Sequence, residues 1–383
     1  MESPRVYRKG ESFQSLSGRA SAEDVQVRLR ALRSNLGSGG YSDYQVLIIE
    51  RALTDLLDFE GERTSDVFWL RPHVIEEMDR IEDAHLGRYL FHRYRYDIFP
   101  VTKELDDFPP CVQIEPTSIC NLRCVFCFQT DPMLTKPKEG HQGQMPLDRF
   151  KRIVDGIEGR VEFVTMASRG EPLLTKGIEE MLAYASGKFL GLKMNTNATF
   201  LTEKKAHAIL SAQPNTLVFS ADAADAGTYA ELRVNGDFDK IMGNIRRFME
   251  IKERDYPESR MITRVSGVAF DRDRQDHSKI EAFWREFVDQ VAFVDYNPWE
   301  NAYDNEPNGI TEACSDLWRR TFVWWDGRMN PCDVDYRSFL SPGNVDEMSV
   351  SDLWTGGGYS HLRDQHQALE RQGLTPCRGC VTV

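Results

Sequence analysis

Three cysteines stand at Cys120, Cys124 and Cys127, inside the stretch Ile114-Glu-Pro-Thr-Ser-Ile-Cys-Asn-Leu-Arg-Cys-Val-Phe-Cys127. The spacing is C-x3-C-x2-C, with an aromatic, Phe126, directly before the last thiol. Three thiolates on one short loop can hold three irons of a cubane [4Fe–4S] cluster, leaving the fourth iron to a non-protein ligand. A zinc site would want a fourth protein donor nearby. The nearest downstream histidine, His141, lies beyond a loop that contains Pro and Gly. A second set lies toward the C-terminus, where Cys314, Gly327 and Cys332 are followed by Cys377 and Cys380 as C-x2-C. Four thiolates, with a Gly for a tight turn, make a complete cage that suits zinc or a fully ligated [4Fe–4S] cluster. The remaining cysteine, Cys111, stands alone.

Composition narrows the setting of this chemistry. Lys and Arg number 47 against 60 Asp and Glu, a net charge of −13 over 383 residues. A broad nucleic-acid footprint needs clustered positive charge, so nucleic acid is not an expected partner. No apolar run is long enough to span a bilayer, and Met1–Gly10 lacks the apolar core of a secretory signal. The chain reads as soluble and cytoplasmic, free to bind neutral or cationic small molecules. In a reducing compartment, metal and catalytic roles for cysteine take precedence over disulfides.

The elements that must position these thiols follow from periodicity. Residues 1–108 read as helical: Ser21 and Ser42 can cap helices, Pro72 opens a third, and 86–98 is an aromatic-rich fourth. After Pro109-Pro110, β-branched runs at 111–116, 161–167, 191–196, 216–221, 261–269 and 291–296 alternate with helical patterns at 147–157, 176–186, 202–211, 238–253 and 277–290. This is an α/β pattern that fits a partial, open (β/α)6 barrel over 109–300. Residues 301–383 form a small cysteine-rich unit, too poor in apolar residues to hold itself without a metal. Functional residues of parallel α/β domains gather where strands end, and the three-cysteine loop follows the first strand.

The C-x3-C-x2-C loop resembles the signature of the radical S-adenosylmethionine (SAM) superfamily, in which the amino and carboxylate groups of SAM occupy the open iron. Three later segments agree with it. Ala167-Ser-Arg-Gly-Glu-Pro172 resembles the superfamily's Gly-Gly-Glu-Pro segment, with Gly170 and Glu171 matching and Arg169 in place of the first Gly. Met194-Asn-Thr-Asn-Ala198 resembles its Thr-Asn-Gly segment, offering Asn195 and Asn197 to ribose hydroxyls or to a turn. Phe219-Ser-Ala-Asp-Ala223 with Arg233 resembles the Ser-x-Asp-Gly…Arg element of SPASM and twitch members. The resemblance implies that Ser220 and Arg233 hold SAM's ribose or carboxylate, and that Phe126 joins the cofactor contacts. Otherwise Asp222 and Asp225 cap the next helix and Arg233 pairs with one of them. Cys314, Cys332, Cys377 and Cys380 match the SPASM/twitch layout, which implies one auxiliary [4Fe–4S] cluster. The likeness spans roughly residues 111–380.

What the resemblance implies is reductive cleavage of SAM to a 5′-deoxyadenosyl radical, driven by an external one-electron reductant of the flavodoxin or ferredoxin type. A fully ligated auxiliary cluster then suits electron uptake from a substrate radical, and a carboxylate at the site would serve as base. The candidates are Asp295, Glu300 and Asp333, with Asp335 beside them. The expected reaction is oxidation of a small hydroxylated substrate such as a sugar, nucleotide sugar or aminocyclitol. Modification of a peptide or protein side chain and a redox-neutral epimerisation or dehydration are the alternatives.

Overall fold

A computed structural model describes residues 6–8, 20–136, 140–298 and 302–383. The β-branched runs become six parallel strands: β1 (Cys111–Ile114), β2 (Phe163–Met166), β3 (Gly191–Thr196), β4 (Thr216–Ser220), β5 (Ile262–Ala269) and β6 (Gln290–Asp295). They neighbour one another in chain order. Such order follows when each crossover helix covers the same outer face. The barrel is therefore the expected open, six-stranded one. The helix expected over 277–290 stops at Trp284. Its indole Nε1 donates to the Ala223 carbonyl at 2.9 Å, and the chain then turns back toward β6.

The sheet does not end with the barrel. Strand β7 (Arg320–Val323) runs parallel to β1, pairing Cys111 with Arg320 and Ile114 with Val323. Strands β8 (Arg328–Asn330) and β9 (Gly343–Asn344) then extend it antiparallel. Leu317, Trp318, Val323, Met329, Trp354 and Tyr359 pack into the same apolar core as the barrel strands and helices. This corrects the expectation that a metal alone must hold the C-terminal unit: it borrows the barrel's sheet and core.

The N-terminal helices span Ala22–Asn35, Asp43–Leu57, Pro72–Arg80 and Leu86–Asp97. Ser21 accepts from the Asp24 N–H, and Ser42 with Gln45 forms a reciprocal capping box. They build a core of their own around Leu29, Ile49, Leu53, Tyr89 and Leu90. The packed helices cover the N-terminal ends of the strands. The His92 ring stacks 3.9 Å from Phe163, the first residue of β2, and Arg88 pairs with Glu162.

Candidate active site and cysteine cages

A cavity of about 460 Å³ fills the barrel, running from the N-terminal helices up to Cys120, Cys124 and Cys127. The loop that carries these thiols is anchored as a strand: Arg123–Cys124 pairs antiparallel with Arg233–Val234. Sulfur acceptors are already supplied with donors. Cys124 Sγ accepts from Arg233 Nη1 at 3.7 Å, and Cys120 Sγ from the Leu122 N–H at 3.4 Å. Phe126 is buried 5.7 Å from Phe270, with the Arg233 guanidinium 5.7 Å from its ring. Burial raises all three thiols, Cys120 to about 12, and the charge of neighbouring cysteines raises Cys120 and Cys127 further. Thiols so placed ionise when a metal supplies positive charge, so the donor set suits bound iron. Three protein thiols on one loop would hold three irons of a cubane and leave one coordination position to SAM.

Around this loop the strand ends supply polar groups. A Cβ on Gly170 would lie 2.3 Å from the Thr117 carbonyl oxygen and 2.6 Å from that of Ile119. Only glycine lets this turn lie against the thiol loop. The buried Glu171 carboxylate accepts from Thr196 Oγ1 at 2.6 Å, the Asn197 N–H at 2.7 Å and the Leu173 N–H at 3.0 Å. Burial raises its pKa, and those three bonds pull it back. Asn195 Oδ1 is buried without a partner on the cavity wall. Asn197 is committed to the loop: its Nδ2 donates to Asn121 Oδ1 at 2.9 Å, and its Oδ1 accepts from the Thr199 N–H. Ala198, where the superfamily segment has Gly, holds a left-handed φ of 60°. Ser220 lines the cavity. Arg233 also lines it, but its Nε donates to Asp222 at 2.5 Å, and Asp225 caps the helix Ala226–Leu232.

Arg169 turns away from the thiols. Its guanidinium and the Glu115 carboxylate are wholly buried together, with Nε and Nη2 donating at 2.7 and 2.6 Å. Its Nη1 donates to the Tyr336 carbonyl at 2.8 Å, and the group lies 4.3 Å from the Trp324 ring centroid. The side chain thus bolts β1 to the C-terminal unit. Of the candidate bases, Asp333 lines the cavity. Asp295 pairs with Arg272 at 2.8 Å, partly exposed, and is not among the cavity's lining residues. Asp335 is taken up by the Tyr303 hydroxyl and the Phe339 and Leu340 N–H groups. Glu300 lies outside the described residues.

Cys314, Cys332, Cys377 and Cys380 line a second cavity together with Arg371. Arg371 is 1% exposed; its terminal nitrogens donate to the carbonyls of Glu312, Cys377, Cys380 and Thr382, and its Nε has no partner. A guanidinium here offsets the negative charge that four thiolates would carry, so the cage fits a fully protein-ligated cluster. Sequence reasoning missed Arg371, and also Ser168 and Gln129, whose buried oxygens lack partners on the main cavity. It also missed Lys193. The alternation Leu192-Lys193-Met194-Asn195 carried the signal, since period-2 spacing sends both polar side chains to the lumen face of a strand.

Fold and thiols together define an iron–sulfur protein on an open α/β barrel. Residues 114–258 match the radical SAM superfamily, and residues 314–381 match the SPASM iron–sulfur cluster-binding domain. The chain belongs to the radical SAM superfamily as a SPASM-type member, whose cofactors are SAM, its [4Fe–4S] cluster and auxiliary iron–sulfur. The mycofactocin maturase MftC of Mycobacterium tuberculosis (strain CDC 1551 / Oshkosh) is 29% identical over 133 residues, 35% of this chain and 32% of the maturase. The chain thus spans about a third of that relative's length. In fold it is similar to BtrN in complex with AdoMet and 2-DOIA (TM-score 0.51, 17% identity, 73% of this chain and 95% of BtrN). It is also similar to Streptococcus suis SuiB bound to precursor peptide SuiA (TM-score 0.50, 15% identity, 89% of this chain and 83% of SuiB). Among the described residues, no helix is long and apolar enough to cross a membrane.

Proposed function

We propose that this protein is a radical SAM enzyme that oxidises a side chain of a peptide or protein, with the C-terminal cage taking up an electron from the substrate. The size of the cavity carries this reading. About 460 Å³ is near the low end of the roughly 300–1,000 Å³ that one drug-sized ligand occupies. With SAM seated against the thiol loop, the space left suits one projecting group better than a whole second molecule. The similarity of the radical SAM core to a maturase supports the same choice. The cluster and SAM, when bound, supply a 5′-deoxyadenosyl radical. The chain's part is positional. Gly170 lets the strand-end turn lie against the thiol loop, Asn195 and Ser220 would offer polar contacts, Phe126 would help exclude water, and Asp333, on the cavity wall, would take a proton from the substrate. An external one-electron reductant is the expected redox partner.

A second reading is oxidation of a small hydroxylated molecule such as a sugar, nucleotide sugar or aminocyclitol. It is favoured by the N-terminal helices, which cover the barrel end opposite the thiols and so do not flank the site as a peptide-docking module would. The test begins with anaerobic reconstitution and counts of iron, sulfide and zinc, beside a variant carrying both Cys377→Ala and Cys380→Ala. About eight irons falling to about four would mark two [4Fe–4S] clusters. The loaded protein is then given dithionite and SAM with a peptide library or a sugar panel. Substrate-dependent 5′-deoxyadenosine with peptides alone supports the first reading, and with sugars alone the second. Its absence under every condition would refute both.

A further inference from the structure

We propose that the floor of the barrel lumen is a carboxylate-binding subsite centred on Lys193, which anchors an acidic group of the substrate below the SAM site. The inference rests on the reading of this cavity as the place where substrate reacts.

Lys193 sits in the middle of β3. Its ladder partners are Thr165 on β2 and Thr216 on β4, and Thr165 is in turn paired with Gln113 on β1. All four line the cavity, so one level of the lumen carries an ammonium, an amide and two hydroxyls. Lys193 makes no hydrogen bond or ion pair with the described residues. The charges around it are mostly of its own sign. Arg264 approaches from β5 and Arg320 from β7, and both lower its pKa. Arg93 and Arg319 line the same cavity. Asp333, which lines the same cavity, acts on Arg320 and raises its pKa, and the other nearby acids are engaged elsewhere. Asp97 holds Arg93 at 2.9 Å, Asp316 holds Arg320 at 3.1 Å, and Glu77 accepts from the Tyr89 hydroxyl at 2.8 Å.

An interior ammonium without an acceptor is costly, and a hydrogen-bonded anion offsets that cost. With its pKa pushed down to about 8 by burial and by the two guanidiniums, Lys193 is still mostly charged at neutral pH. A carboxylate suits the level because it accepts several donors at once, and ammonium, amide and hydroxyls supply them. The level lies two residues, about 7 Å along the strand, below Asn195. A side chain or small acid held there would keep its carbon skeleton between the floor and the thiol loop.

The test uses the reconstituted, SAM-loaded enzyme under anaerobic conditions. Glutarate, a glutamate-containing peptide, and the corresponding neutral amides are titrated while the thermal midpoint is followed. The expected result is that one or both carboxylates raise the midpoint and the amides do not. Affinity should fall about tenfold to a hundredfold in Lys193→Met, the effect of removing a charge-assisted hydrogen bond, and recover in Lys193→Arg. A response to glutarate alone assigns the subsite to a small acid, and to the peptide alone to an acidic side chain. No response in the wild type, or an equal response in Lys193→Met, overturns the subsite. Iron content and 5′-deoxyadenosine formation, measured on the same wild-type samples, report separately on the radical SAM reading.

Discussion

Replacing Arg169 by Met isolates the bolt between the barrel and the C-terminal unit. Both charges of the Arg169–Glu115 pair are fully buried. Removing the guanidinium would leave the Glu115 carboxylate, among the described residues, with only the Arg169 N–H at 3.1 Å and the Trp325 N–H at 3.3 Å. Breaking one side of a buried pair costs about 3–5 kcal/mol, because the surviving charge stays buried. Unfolding entropy of about 2.1 cal/mol/K per residue over 383 residues converts this to a drop in Tm of about 4–6 °C. Calorimetry of the metal-loaded protein measures it. Adding Glu115→Gln to Arg169→Met removes the stranded charge. The double variant should therefore be less destabilised than the sum of the two single changes. Arg169→Met within about 1 kcal/mol of the wild type, or strict additivity in the double variant, would refute the reasoning.

Gly170→Ala forces a methyl against the Thr117 and Ile119 carbonyls. It should cost about 1–3 kcal/mol or more and weaken SAM binding, read by equilibrium dialysis. Lys193 titrates near 8 in the fold against 10.5 ordinarily, so between these values the unfolded chain holds the extra proton and stability rises with pH. Below pH 8 the ligand-free protein carries a constant cost of up to about 3 kcal/mol. Lys193→Met should therefore be more stable than the wild type in urea at pH 7, with the gap closing near pH 10.5; an equal gap at both pH values contradicts this. Glu171→Gln places an amide donor among three groups that already donate to Glu171, so it should loosen the turns after β2 and β3. Hydrogen exchange at Leu173 and Asn197 should rise, and unchanged exchange would count against that role.

The barrel was legible because its strands are short β-branched runs between amphipathic helices, and local spacing alone sets both. The thiols were legible because one loop carries three of them. What escaped reading depends on where side chains turn. Arg169 occupies a motif position yet leaves the cofactor face for Glu115, a residue far away in the chain, and no local pattern reports such a pairing. The continuation of the sheet into β7 was equally hidden, since Arg320–Val323 resembles any isolated strand until it lies along β1. Arg233 shows an intermediate case. Its place beside the thiols was readable from the motif and a pairing with Asp222 or Asp225 was the stated alternative, but that it does both, holding Asp222 while donating to the Cys124 sulfur, was not.

The join between β1 and β7 also bears on how an electron would travel. Ile114, one residue before Glu115 and the thiol loop, is in register with Val323, upstream of Cys332. The Arg169–Glu115 pair locks the same corner. The two cysteine centres are thus joined by one continuous sheet and a buried ion pair, an arrangement in which their separation would not depend on a domain swinging into place. Transfer between them would be set by driving force and the fixed packed path, so its rate should be indifferent to solvent viscosity.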